Sequence, residues 1–177
     1  SVEQKVSTED VQEPAVVGRL RSRFSDAVLA SKQAYGELSI DVERGRIVEV
    51  GLFLRDDPEL RFNLLSDLTA VDWLPTEREP RFDVVYNLLS ISNNERLRLK
   101  VGVDEESASA PSVVSVWPTA NWLEREVYDM YGITFDNHPD LRRILMPDDW
   151  PTHPLRKDVP LGEEPVEFSQ NTRPGEP

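Results

Sequence analysis

Two carboxylates and two histidines are the side chains in this sequence whose types suit them to chemistry. Glu124 and Glu126 suggest a general acid and base, and His138 and His153, with Glu126 or Asp140 as oxygen donors, suggest a metal site. Spacing argues against both. On a helix, positions i and i+2 point roughly 200° apart. Glu124 and Glu126 therefore cannot flank one bond in the way a glycosidase pair does, with carboxyls roughly 5 to 9.5 Å apart. A stand-alone carboxylate hydrolase would need a further acid from elsewhere in the chain. Each histidine precedes a proline, and neither has a second histidine at helical spacing, so a loop histidine bonded to backbone or carboxylate is the simpler reading. Neither G-x-G-x-x-G nor G-x-x-x-x-G-K-[ST] occurs, so no motif offers a site for a nucleotide, NADH or FMN. The sequence contains 0 cysteines and so supplies no thiolate to an iron–sulfur cluster and no disulfide.

These residues belong to one stretch, NWLEREVYDMYGITFDNHPDLRRILMPDDWPTHPLRKDVPL, from Asn121 to Leu161. Its first part reads as an amphipathic helix over residues 120–132, with Leu123, Val127, Met130 and Tyr131 as the apolar stripe and Gly132 as its terminator. Thr119 is the expected cap. Arg125 and Asp129, four apart on the far face, would pair for roughly 0.3 to 0.5 kcal/mol. From Asn137 onward, Pro139, Pro147, Pro151, Pro154 and Pro160 exclude a helix and bias the chain to extended geometry. This is the expected strap, residues 137–161, lying over the domain. Arg142, Arg143, Arg156 and Lys157 would neutralise Glu124, Glu126, Asp129 and Asp158, either as an internal clamp or as a network completed by a neighbouring chain.

The stretch resembles the 30 kDa subunit family of respiratory complex I, the C subunit of bacterial NADH:quinone oxidoreductase. The resemblance rests on Glu124-Arg125-Glu126 with Asp129, on Gly132-Ile133-Thr134-Phe135, and on His138 to Leu145. Asp149-Trp150 and His153 to Asp158 continue it. It departs from the family pattern at Asn137, at Pro151-Thr152 and at Val159, none of which removes a charge of the signature. Upstream, FLRDDPELRFNLLSDLTAVDWL and RFDVVYNLLSISNNERLRLKV also look like the family. The resemblance implies a non-redox subunit of the hydrophilic arm, with no active site of its own, that positions the quinone-site (49 kDa-type) and terminal-cluster subunits. FMN and iron–sulfur clusters would reside in other subunits, and the location would be the cytoplasmic face of the bacterial inner membrane, peripheral through the complex. Glu124, Arg125, Glu126, Asp129, His138, Arg142, Arg143, Trp150, His153, Arg156, Lys157 and Asp158 would form its ion-pair and interface network. Similar modules occur in related membrane hydrogenases and ferredoxin-linked dehydrogenases, so the assembly itself stays open.

Composition sets limits on all of this. A chain of 177 residues suits one core. A net charge of −13 opposes nucleic acid. No apolar run approaches the 18 or so residues that cross a bilayer, and SVEQKVSTED lacks the apolar core of a signal peptide.

The remaining elements must hold the signature in place. Residues 1–13 read as a mobile lead-in and residues 14–136 as the folded domain. Residues 162–177 read as an acidic, proline-containing tail, disordered unless a partner binds it. Pro14 opens a helix through Phe24, with Arg19, Arg21 and Arg23 on its outer side. Ala27 to Ala30 and Glu37 to Val42 read as strands around Tyr35-Gly36, and Ile47 to Leu54 as a helix closed at Asp57-Pro58. Asn63 to Leu74 reads as a strand with Leu65, Asp67, Thr69, Val71 and Trp73 on one side and Leu64, Leu68 and Leu74 on the other. Phe82 to Ile91 reads as a strand covered on both faces. Arg96 to Val103 alternates as a strand with one wet face. Asp104 to Pro111 is expected to be a flexible loop, and Ser112 to Val116 an extended lead into the signature helix. The order α-β-β-α-β-β-β, then the signature helix and strap, predicts an α+β fold of two layers, a mostly antiparallel sheet covered by helices.

Overall fold

The computed structural model describes residues 14–76 and 78–160. The expected lead-in at 1–13 and tail at 162–177 lie outside them. In chain order the elements are α1 (Ala15–Arg23), β1 (Val28–Ala34), β2 (Glu37–Val42), α2 (Ile47–Asp56), β3 (Leu64–Asp72), β4 (Phe82–Ser90), β5 (Glu95–Val103), β6 (Ser109–Pro111), α3 (Ala120–Tyr131) and β7 (Thr134–Asp136). The fold is α+β. Its main sheet runs β1-β2-β5-β4-β3, and β6 and β7 form a separate parallel pair. The main sheet is mixed, because β2 and β5 run parallel while the other three pairings are antiparallel.

Alternation within β4 and β5 decides where the core lies. Val84, Tyr86 and Leu88 sit opposite Val101, Leu99 and Leu97, and all six are buried in one cluster with Val17 and Leu20 of α1, Ile47, Val50 and Leu54 of α2, and Ala120 and Val127 of α3. The helices thus share one face of the sheet. On the other face Arg98 and Lys100 remain partly exposed, as expected for a strand wet on one side. Ahead of α3, Trp117 is anchored by its indole N–H on the Phe62 carbonyl, 3.1 Å away. Its ring fills the space beside Gly51, where a Cβ would lie 3.0 Å from it.

Four expectations need correction. β1 extends to Ala34, well past the expected Ala30. In β3 the buried residues are Leu65, Leu68, Ala70 and Asp72; a bulge between Leu65 and Asp67 inserts one residue and moves everything after it to the opposite face. The loop before α3 contains β6, paired through Ala110 with Phe135. Val113 to Trp117 is a turn, not an extended segment, with the N–H groups of Val116 and Trp117 both donating to the Val113 carbonyl at 2.9 Å.

Candidate functional site: the strap folded back on α3

α3 begins without a side-chain cap. Thr119 has helical backbone angles and its hydroxyl caps nothing, because the preceding turn already supplies acceptors: Ala120 N–H donates to Trp117 O at 2.9 Å and Asn121 N–H to Pro118 O at 3.2 Å. The helix ends at Gly132, at φ +76°, whose N–H donates to Tyr128 O at 2.9 Å. Of the expected stripe Val127 and Met130 are buried, and burying a side chain of Val size is worth about 1.5 to 3 kcal/mol. That outweighs any single surface ion pair, so packing rather than i, i+4 pairing holds α3.

Beyond β7, residues 137–160 form no helix or strand. They turn repeatedly and return to α3, so the far face of that helix is covered, and Glu124, Arg125 and Asp129 are all buried. The expected Arg125–Asp129 pair is not formed. Arg125 donates instead to the carbonyls of Arg142 at 3.2 Å and Arg143 at 3.3 Å, with its guanidinium 4.9 Å from the Trp122 ring centroid. A helical wheel sees only the helix and cannot show carbonyls arriving from the strap.

Asp129 is the centre of the clasp. One of its oxygens accepts the successive amides of Ile144, Leu145 and Met146 at 3.0, 2.7 and 2.9 Å, and the other accepts Arg143 Nη1 at 2.7 Å. Burial alone would push this carboxyl up, but the three amides and the guanidinium outweigh it and hold it below the usual carboxylate range. Arg143 continues to the carbonyls of Trp150, 2.9 Å, and Thr152, 3.2 Å. The strap also satisfies carbonyls at the end of α3. His153 Nδ1 lies 2.9 Å from Asp129 O, and Leu155 N–H donates to Met130 O at 3.0 Å. A helix end buried under another segment requires such partners.

Glu124 is handled differently. Its side chain is fully buried and, among the described residues, accepts only from Ser112 Oγ and Val113 N–H, each at 2.7 Å. Burial dominates and pushes the carboxyl up to about 7, with the Ser112 and Val113 bonds opposing the rise. His138 Nε2 stands 4.0 Å from it and 3.0 Å from Asn121 O. Glu126 is exposed and carries no ion pair among the described residues. The basic residues of the strap therefore neutralise neither glutamate: Glu124 relies on neutral donors and Glu126 faces solvent. Arg142, also exposed, pairs with Asp140 at 2.9 Å.

The far end of the strap reaches a cluster that residue spacing did not reveal. Asp72 and Arg81 form a buried two-pronged pair, with Nε–Oδ1 at 3.0 Å and Nη2–Oδ2 at 2.8 Å. Lys157 contributes its backbone N–H to Asp72 at 2.9 Å rather than its ammonium. Asp158 lies 3.1 Å from Arg81 and 3.2 Å from Arg156, and these two guanidiniums hold its carboxyl far below the usual range. Glu105 accepts from both arginines. The available signal was a charge at the buried parity of β3, which the bulge concealed.

No cluster of three or more His, Asp or Glu side chains that could hold a metal occurs among the described residues, and Glu124 and Glu126 share no cleft. What the surface offers is apolar: Trp122, Leu145 and Leu155 are exposed beside or on the strap. Among the described residues no helix is long and apolar enough to cross a membrane.

A family model described as "Respiratory-chain NADH dehydrogenase, 30 Kd subunit" matches residues 40–165. The C subunit of NADH-quinone oxidoreductase from Roseiflexus sp. (strain RS-1) is 58% identical over 156 residues, 88% of each chain. The protein of that name from Geobacter metallireducens is 56% identical over 150 residues, 83% of this chain and 91% of its own. Among solved structures, the trypsin-resistant fragment (1-134) of Nqo5 aligns with a TM-score of 0.60 at 34% identity, covering 71% of this chain and 99% of the fragment. A chain of the membrane-bound sulfane sulfur reductase, an archaeal respiratory membrane complex, aligns with a TM-score of 0.66 at 28% identity, covering 82% and 84%.

Proposed function

This chain belongs to the respiratory-chain NADH dehydrogenase 30 Kd subunit family, and from that premise we propose that it is a non-redox structural subunit of a proton-translocating NADH:quinone oxidoreductase. It braces the quinone-site and terminal-cluster subunits of the hydrophilic arm on the cytoplasmic side of the membrane, while FMN and iron–sulfur clusters sit in other chains. The observation that carries this reading is the clasp. The strap commits Arg143 to Asp129 of α3, and Asp158 together with the Lys157 backbone N–H to Asp72–Arg81, which fixes its backbone, and leaves Trp122, Leu145 and Leu155 facing outward. A rigid irregular segment with apolar anchors suits docking, since exposed aromatic residues carry much of the energy of protein interfaces. Positioning of this kind matters where misplacement by about 1 Å can cost a hundredfold in rate.

A second assembly is favoured by one observation, the likeness to the archaeal membrane-bound reductase: the same module would then brace a complex with a different electron donor or acceptor. Affinity purification of the native assembly through this chain tests both. Co-purifying flavin and NADH:quinone activity support the first reading, whereas a complex of several companions without NADH activity supports the second. A free monomer with its own turnover overturns both and returns the hydrolase reading.

A further inference from the structure

Among the described residues Glu124 is the one buried carboxylate without a cation in contact. The groups packed against it come from four directions. Ser112 Oγ and Val113 N–H donate from the turn before α3. His138 approaches from the strap to 4.0 Å. From β4, Tyr86 is fully buried, its hydroxyl has no hydrogen-bond partner among the described residues, and burial first, then the Glu124 charge, raise its pKa. Arg125, next to it on α3, is committed to the strap carbonyls of Arg142 and Arg143.

The protonation of the His138 ring follows from its neighbours. Asp140 N–H donates to Nδ1 at 3.0 Å, so Nδ1 bears no proton. The ring proton is then on Nε2, where it meets the Asn121 carbonyl at 3.0 Å. His138 thus stands between the end of α3 that holds Asn121 and the first turn of the strap, and its Nε2–H has a second acceptor in reach, the Glu124 carboxyl.

We propose that the protonation state of Glu124 is a switch for the strap's first turn: protonated, it leaves His138 bridging Asn121 and Asp140; ionised, it draws the Nε2–H to itself and pulls Nδ1 away from the Asp140 amide. The proton released from Glu124 goes to solvent. A charge-assisted bond to carboxylate is about twice as strong as one to a neutral carbonyl, which drives the exchange of acceptors. A buried carboxylate with two donors and no cation also gains from a third. That burial lifts Glu124 to about 7 places the change where pH varies in cells.

Hydrogen exchange at the Asp140 amide of the full chain, followed with the carboxylic-acid stretch in infrared spectra, tests this. Each pH unit above the midpoint depletes the protonated form about tenfold, so Asp140 protection should fall as the acid band fades. In Glu124→Gln the band should be lost and Asp140 protection should not change with pH. In His138→Gln the band should titrate as before while the amide no longer follows it. An acid band missing from the unaltered chain below neutral pH, or an Asp140 response that survives in either variant, overturns the proposal.

Discussion

Gly132 and His153 stand so close that a Cβ on the glycine would lie 2.7 Å from the histidine ring. The glycine is also at φ +76°, where other L-residues pay about 1 to 2 kcal/mol. Gly132→Ala therefore acts twice, straining the end of α3 and expelling the ring that reaches Asp129 O. Urea unfolding should show a loss at or above the upper end of that range. Limited proteolysis should open a site within residues 137–160 before the sheet is cut. A variant that resists protease like the parent would mean the strap does not depend on this contact.

Asp129→Asn removes the charge that faces Arg143 while keeping the side chain's shape. Breaking a buried ion pair from one side costs about 3 to 5 kcal/mol, because the remaining partner stays desolvated. Arg143 is mostly buried here, at 13% exposure, so a loss near the lower figure is expected in chemical denaturation. Glu126→Gln, on the same helix but exposed and unpaired, should change stability by no more than about 0.5 kcal/mol. Equal effects from the two would refute the clasp as the source of the difference.

Both the Gly132 terminator and the helix it ends were legible from local chemistry, as were α2 up to Asp57-Pro58 and the alternation of β5. Each depends on neighbours within a few residues. The parity of β3 was lost to a single inserted residue between Leu65 and Asp67. The parallel contact of β2 with β5 joins strands separated by α2, β3 and β4, and no periodicity records such a crossover. The charges were only partly assigned for the same reason: Arg143 meets Asp129 and Arg156 meets Asp158 as expected, but Arg125 turns to strap carbonyls and Glu124 to neutral donors. Asp129 binds amides that follow it by fifteen to seventeen positions, and Asp72 meets Lys157 across eighty-five. Residue types announced a network, but its pairing is a property of the folded strap.

Stability should respond to pH in two opposite ways. Asp129, Asp72 and Asp158 have depressed carboxyls, so their contribution is present above the usual carboxylate range and is lost as pH falls below it through their depressed values. Glu124 is raised from 4.5 to about 7. The folded chain holds a proton there that the unfolded chain has released, so its contribution is whole below 4.5 and is lost as pH rises toward 7, by about 3 kcal/mol. Unfolding free energies measured from about pH 5 to pH 8 should decline and then level, and Glu124→Gln should remove most of the decline. A decline unchanged in that variant would assign the slope to another group.

Trp122 separates folding from assembly. Its ring is 64% exposed and packs against the Arg125 guanidinium, 4.9 Å from its centroid, a contact worth about 0.5 to 1 kcal/mol at an exposed site. Trp122→Ala should therefore cost the isolated chain no more than that. If the clasp presents Trp122 to a neighbouring chain of the complex, the same change removes a buried aromatic anchor, where losses of about 2 kcal/mol or more are usual. That corresponds to roughly a thirtyfold weaker association. Native gels of membranes carrying the variant should then show less of the large assembly and more of the free chain, at unchanged thermal stability of the purified protein. Normal incorporation of Trp122→Ala, combined with normal incorporation of Leu145→Ser, would move the docking surface off this side of the strap.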